Sequence, residues 1–149
     1  MGNKFTANIL MCKEITEERE FKDIFNDLTL VDERTIKFDM SIFFTSDIQE
    51  VKDEIFLVNI SHETDDAMNY HFVGTITKKF DKTGRSIDVN FCRDNEINLK
   101  WEGLYNLELR LCKEYKDINV LKNDEIVEWI EDSKLINSFS FNVQFKKED

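Results

Sequence analysis

Two histidines, His62 and His71, flank the segment 63–69, which also carries Glu63, Asp65 and Asp66. Imidazole and carboxylate groups bind divalent metals and move protons near neutral pH, so a hydrolytic or metal-assisted activity would be sought here first. Their spacing matches no zinc signature, and the expectation is a solvated acidic loop holding no metal. Further carboxylates at Asp47, Asp53, Asp94 and Glu96 could join Asp65 and Asp66 at one end of a domain to bind Ca²⁺, yet no Asp-x-Asp ladder is present. Charge kept on loops for solubility is the expected role. Gly2, Gly74, Gly84 and Gly103 stand isolated, so no glycine-rich cradle opens a helix, and no cofactor is expected. No Gly-x-Ser-x-Gly turn is present, and no catalytic residue is assigned. Cys12, Cys92 and Cys112 are odd in number, widely spaced and placed in or at the end of apolar runs. They read as reduced thiols acting as small hydrophobes in a cytoplasm.

Recognition is better served than catalysis. Tryptophan is enriched at binding hot spots, which singles out Trp101 and Trp129. Trp101 continues the inward alternation of Ile97 and Leu99 and is expected in the core. Core packing is the expectation for Trp129 as well, but it sits beside the apolar face of a short helix and is the better candidate of the two for a partly exposed contact. Asp124, Glu125 and Glu128 lie around it, and with Asp65 and Asp66 they complete the expected partner-binding set. Lys and Arg total 20 against 31 Asp and Glu, a formal charge of -11. That balance disfavours nucleic-acid phosphates and anionic membranes and favours a basic protein partner. No apolar stretch approaches the roughly 20 residues that span a bilayer, so no membrane insertion is expected.

The elements that would position these residues are mostly strands. Ile36, Phe38, Met40, Ile42 and Phe44 alternate along 35–45, the period of a half-buried strand. The run 54–61 is continuously apolar and rich in β-branched residues, as in a strand covered on both faces. Other strands are expected at 5–12, within 21–30, at 70–80, 86–92, 97–101, 105–111 and 136–145. A polar loop ending at Gly84 reads as a hairpin between 70–80 and 86–92. One helix is expected at 123–132, with Asn123 as cap and Asp124 and Glu125 at the positive end of its dipole. Proline is absent and glycine occurs only 4 times, so Asn, Asp, Lys and Ser must form the turns. A single domain over 1–149 is expected: a mainly β, antiparallel β-sandwich of about eight strands with one short helix before the last.

Ala7-Asn-Ile-Leu-Met-Cys12, Phe21-Lys-Asp-Ile-Phe-Asn-Asp-Leu28 and Gly103-Leu-Tyr-Asn-Leu-Glu-Leu-Arg-Leu111, with the segment 139–145, together resemble a family of small uncharacterised bacterial and phage β-sandwich proteins. That family is a domain of unknown function, so the resemblance implies the fold and carries over no catalytic residue. The chain departs from it in lacking loop prolines and in adding the helix at 123–132. The expected function is a non-enzymatic protein-binding module, in its sharpest form a phage or mobile-element inhibitor whose acidic surface engages a basic host protein. A hydrolytic or metal-assisted enzyme using His62, His71 and loop carboxylates, and a self-assembling structural subunit, stand as alternatives.

Overall fold

The alternating side chains of 35–45 need a dry face to point at, and a computed structural model of the chain supplies it between two sheets. The structure describes residues 2–24, 26–62, 70–91 and 96–148, the side chains of 86–91 excepted. In chain order the strands are β1 (Lys4–Ile15), β2 (Phe21–Ile24), β3 (Asp27–Val31), β4 (Thr35–Ile36), β5 (Asp39–Asp47), β6 (Lys52–His62), β7 (Tyr70–Phe80), β8 (Gly84–Phe91), β9 (Ile97–Asn98) and β10 (Gly103–Cys112). A short 3₁₀ turn, the helix α1 (Asn123–Asp132) and β11 (Lys134–Lys146) follow. One sheet runs β2-β1-β5-β8 and the other β3-β11-β10-β6-β7, with β4 and β9 forming a small separate pair.

The fold is the expected mainly β sandwich, and the described residues hold more strands than the eight expected. The excess has a local cause. The alternating run breaks at Lys37 and Phe38 into β4 and β5, and the segment 21–31 holds two short strands, β2 and β3, with Asp23 inside β2 at φ 57°. Arg19 and Asp32, in the connections that follow β1 and β3, are also at positive φ, which glycine adopts more readily. The expected hairpin at Gly84 is corrected: β7 pairs with β6 and β8 pairs with β5, so the loop between them carries the chain from one sheet to the other.

Inward-facing Ile9 and Met11 of β1, Ile42 and Phe44 of β5, Phe56, Val58 and Ile60 of β6, and Leu107 and Leu109 of β10 form one apolar core between the sheets. Removing that surface from water is the dominant stabilising effect. The amide of Asn137 in β11 donates to the Ala7 carbonyl of β1, fastening the sheets along one side. On that same flank β3 pairs in parallel with β11, Leu28 opposite Val143, whereas the remaining pairings are antiparallel.

β6 behaves as its continuous apolar run predicts. Phe56, Val58 and Ile60 face the sandwich, while Leu57 meets Cys112, Trp129 and Ile130 in a second cluster on the outer side. α1 is what covers that outer face.

Candidate functional site

Three structural features bear on function: the corner that enters β10, the helix α1, and the cleft beside β7. At the corner, Tyr105 is fully buried and its hydroxyl donates to the Trp101 carbonyl at 2.7 Å, while the Trp101 amide lies 3.3 Å from the same oxygen. His62 closes the group. Its ring stacks on Trp101 at 5.6 Å and leans on Tyr105 at 4.6 Å, and its Nε2 lies 2.7 Å from the Glu102 carbonyl. A carbonyl only accepts, so Nε2 carries the proton in that contact. His62 is thereby committed to a structural joint between β6 and β10.

Gly103 is required here for two reasons. Its φ is 115°, which L side chains rarely adopt, and a Cβ would sit 3.2 Å from His62 Nε2. Gly103→Ala is expected to cost about 1–3 kcal/mol by backbone strain, read as a lower urea midpoint. A variant as stable as the parent would show that the corner relaxes freely.

This corner also corrects the placement of Trp101. Alternation from Ile97 and Leu99 predicts it inside, but β9 ends at Asn98 and the chain bends, leaving Trp101 37% exposed with Lys100 over its ring at 5.2 Å. The contact is similar in form to the tyrosine corner of other β-sandwiches, in which a tyrosine near the start of a late strand bonds to backbone a few residues upstream.

The other tryptophan packs in the core as expected, and only its candidacy as a partly exposed contact is corrected. Trp129 is only 4% exposed, packs 5.9 Å from Phe72 of β7 and donates its indole N–H to the Glu114 carbonyl at 3.3 Å. It anchors α1 and is not a partly exposed contact. The helix starts one residue earlier than the expected cap implies: Lys122 is the N-cap, its amide donating to Glu125 Oε1 at 3.1 Å, and Asn123 is the first helical residue.

At the other end of α1, Arg110 of β10 sends Nη1 to the carbonyls of Ile130 and Ser133, both at 3.4 Å. Those carbonyls stand at the negative end of the helix dipole, where Ile130 O also accepts from the Ser133 amide and hydroxyl. Glu108 holds Arg110 from behind, its Oε1 accepting from Nε at 3.3 Å and Nη2 at 3.2 Å, and from Asn59 Nδ2 at 2.9 Å. No sequence motif announces this network. Its only signal is the run of Asn106, Glu108 and Arg110 at alternate positions of β10 between apolar residues.

So fixed, α1 turns Asp124, Glu125, Glu128, Glu131 and Asp132 to solvent, and the helix contains no basic residue. Three members of the expected partner-binding set, Asp124, Glu125 and Glu128, therefore share one exposed surface. Asp65 and Asp66 lie outside the described residues. Among the described residues no cluster of three or more His, Cys, Asp and Glu could hold a metal ion.

Beside α1 is a cleft of about 550 Å³ lined by Tyr70, His71 and Phe72 of β7, Glu96, Ile97 and Asn98, and Asn123, Ile126 and Val127 of α1. Burial pushes the His71 imidazole below its ordinary value of 6.5 and pushes the Tyr70 hydroxyl up, the latter shift moderated by Arg110 and reinforced by Glu108 and Glu131. Because folding favours neutral His71, the unfolded chain takes up that proton first as pH falls. The stability tied to this residue is whole above about 6.5 and is lost below it. Urea unfolding at about pH 8 and about pH 5.5 should show a larger acid loss in the parent than in His71→Gln; equal losses would sink the assignment.

The remaining described thiols are placed for packing. Cys12 is fully buried, and burial raises the Cys112 thiol to about 11, far from a reactive thiolate at neutral pH.

No protein-family model matches the chain, and no curated protein matches it. Solved structures do. A β-glucosidase from Listeria innocua in complex with glucose aligns over 98% of this chain and 17% of its own, with a TM-score of 0.50 and 8% identity. An immunoglobulin-like protein from Pseudomonas aeruginosa aligns over 95% of this chain and 97% of its own, with a TM-score of 0.41 and 8% identity. The chain thus spans about a sixth of the glucosidase it resembles, and the likeness is one of fold. No helix among the described residues is long and apolar enough to cross a membrane.

Proposed function

We propose that this chain is a non-enzymatic protein-binding module that presents the carboxylate face of α1 to a basic protein in the cytoplasm. The observation that carries the reading is the rigid display of five exposed carboxylates by one ten-residue helix. A scattered acidic surface would serve solubility alone; a ridge clamped by Trp129 and Arg110 keeps its charges in fixed relative positions, which favours recognition. The net charge of -11 draws a basic partner from a distance, and the ridge sets where it lands. In its sharpest form the module is a phage or mobile-element inhibitor whose ridge occupies the basic groove of a host protein.

The test is capture of partners from a bacterial lysate at low and high salt, followed by titration of the captured protein against Asp124→Asn, Glu125→Gln, Glu128→Gln and Glu131→Gln combined. The combined variant should bind at least about tenfold more weakly, with a shallower dependence on salt, because fewer charges are screened. Association that is indifferent both to salt and to these substitutions would overturn the reading.

A further inference from the structure

The cleft beside β7 contains more than side chains. Among the described residues, β7 is hydrogen-bonded on one side only, to β6, and it ends the five-stranded sheet. Its other side presents main-chain N–H and C=O groups to whatever enters. Long edge strands are ordinarily protected by charge, proline or a bulge, because an uncovered edge pairs with other chains. β7 carries Lys78 and Lys79 near its end and a register shift opposite Val58 and Asn59. The stretch 70–77, Tyr-His-Phe-Val-Gly-Thr-Ile-Thr, has no permanently charged residue and is rich in β-branched and aromatic ones.

The start of this stretch forms part of the cleft, with the helix as one wall and the segment 96–98 as the other. A helix standing beside a strand edge that no described strand pairs with makes a slot in which an added strand finds main-chain partners on one side and side-chain pockets on the other. Ile126 and Val127 are the apolar part of the helix wall. Acidic groups border it: Glu96 lines the cleft, Asp124 follows Asn123 on the helix, and Glu131 lies close enough to Tyr70 to raise its hydroxyl. Glu96 pairs with Lys37 at 3.3 Å, but both are more than half exposed, and such a pair is readily exchanged for another cation.

We propose that the β7 edge over 70–77 receives an extended segment of a partner protein as an added strand, seating an apolar side chain against Ile126 and Val127 and basic side chains toward Asp124, Glu131 and Glu96. This rests on the protein-binding reading and gives it a mode: the acidic ridge selects the partner, and the strand edge holds it. The charge of the rim decides the occupant, because a second copy of this acidic chain would bring carboxylates to carboxylates.

The probe is a capped synthetic peptide alternating lysine with valine and isoleucine, titrated into the isotope-labelled protein and followed by amide NMR shifts. Shifts should cluster at 70–77 and 123–127. N-methylation of alternate peptide amides, which removes main-chain donors, should weaken binding at least about tenfold. Val127→Phe, which fills the slot and leaves every carboxylate in place, should do the same.

Absence of binding overturns the proposal, as does a peptide that binds equally well when N-methylated. Shifts confined to Glu128 and Asp132 on the outer helix face would also overturn it, while leaving the acidic-ridge reading intact. Concentration-dependent shifts at 70–77 without peptide would assign the edge to a second copy instead. Binding at 70–77 that ignores both salt and neutralisation of the α1 carboxylates would uphold strand addition to the edge but remove its basic selectivity, and with it the ridge as the selecting surface.

Discussion

Phe56→Ala is expected to remove about 3–5 kcal/mol of stability, the range for truncating a buried phenylalanine. Phe56 is fully buried on β6, with Phe44 of β5 at 4.8 Å, Phe5 of β1 at 5.3 Å and Phe80 of β7 at 6.2 Å. Four rings drawn from both sheets meet at this point. Deleting the central one leaves a void that strands on either side cannot close without sliding past each other, so the cavity contribution stays large. A domain of this kind has about 5–15 kcal/mol in total, and the loss is a large part of it. Equilibrium urea unfolding measures it directly, and a change below about 1 kcal/mol would mean that the sheets are joined elsewhere.

Glu108→Ala should cost a similar amount, about 3–5 kcal/mol, for a different reason. The side chains of Glu108 and Arg110 are only 11% and 12% exposed, so each has lost most of its hydration. Their attraction compensates for that loss only while both are present. Deleting Glu108 leaves a guanidinium beneath the helix without its counter-charge and removes the acceptor of Asn59 Nδ2. Replacing Glu108 and Arg110 together with leucine and methionine should recover much of the loss, since no uncompensated charge then remains. Hydrogen exchange gives the second readout: in Glu108→Ala the amides of α1 should lose protection before those of β5. A Glu108→Ala protein with unchanged midpoint and protection would show that the network carries nothing.

Much of the sandwich could be read from local pattern. The alternation at 35–45 and the doubly apolar run at 54–61 each encode which faces are dry, and both survive in the fold because burial depends on little else. Partnership between distant strands is not encoded that way. Nothing in 27–31 specifies parallel pairing with β11, and nothing in the loop before Gly84 says that the chain changes sheets there.

The two tryptophans show the same division. Trp101 follows a pattern that stops applying where β9 ends, and helix periodicity alone does not reveal that a sheet lies beneath Trp129. The signal was available: a strand apolar on both faces demands a cover, and α1 was the only helical segment on offer. The Glu108, Arg110 and Asn59 network lay beyond reach, since its members come from β6 and β10 and meet only through register.

The parallel joint between β3 and β11 also bears on how the molecule is made. Asp27 stands opposite Asn142, so this edge of the five-stranded sheet cannot be completed until the chain through β11 has left the ribosome. Until then β3 has no strand to join and one side of β10 is bare. Contacts so distant in sequence form slowly, and a nascent chain waiting for β11 displays sheet edges that can recruit the wrong neighbour. During synthesis, exposure to chaperones and to misassembly is thus set by the interval between the emergence of β3 and that of β11.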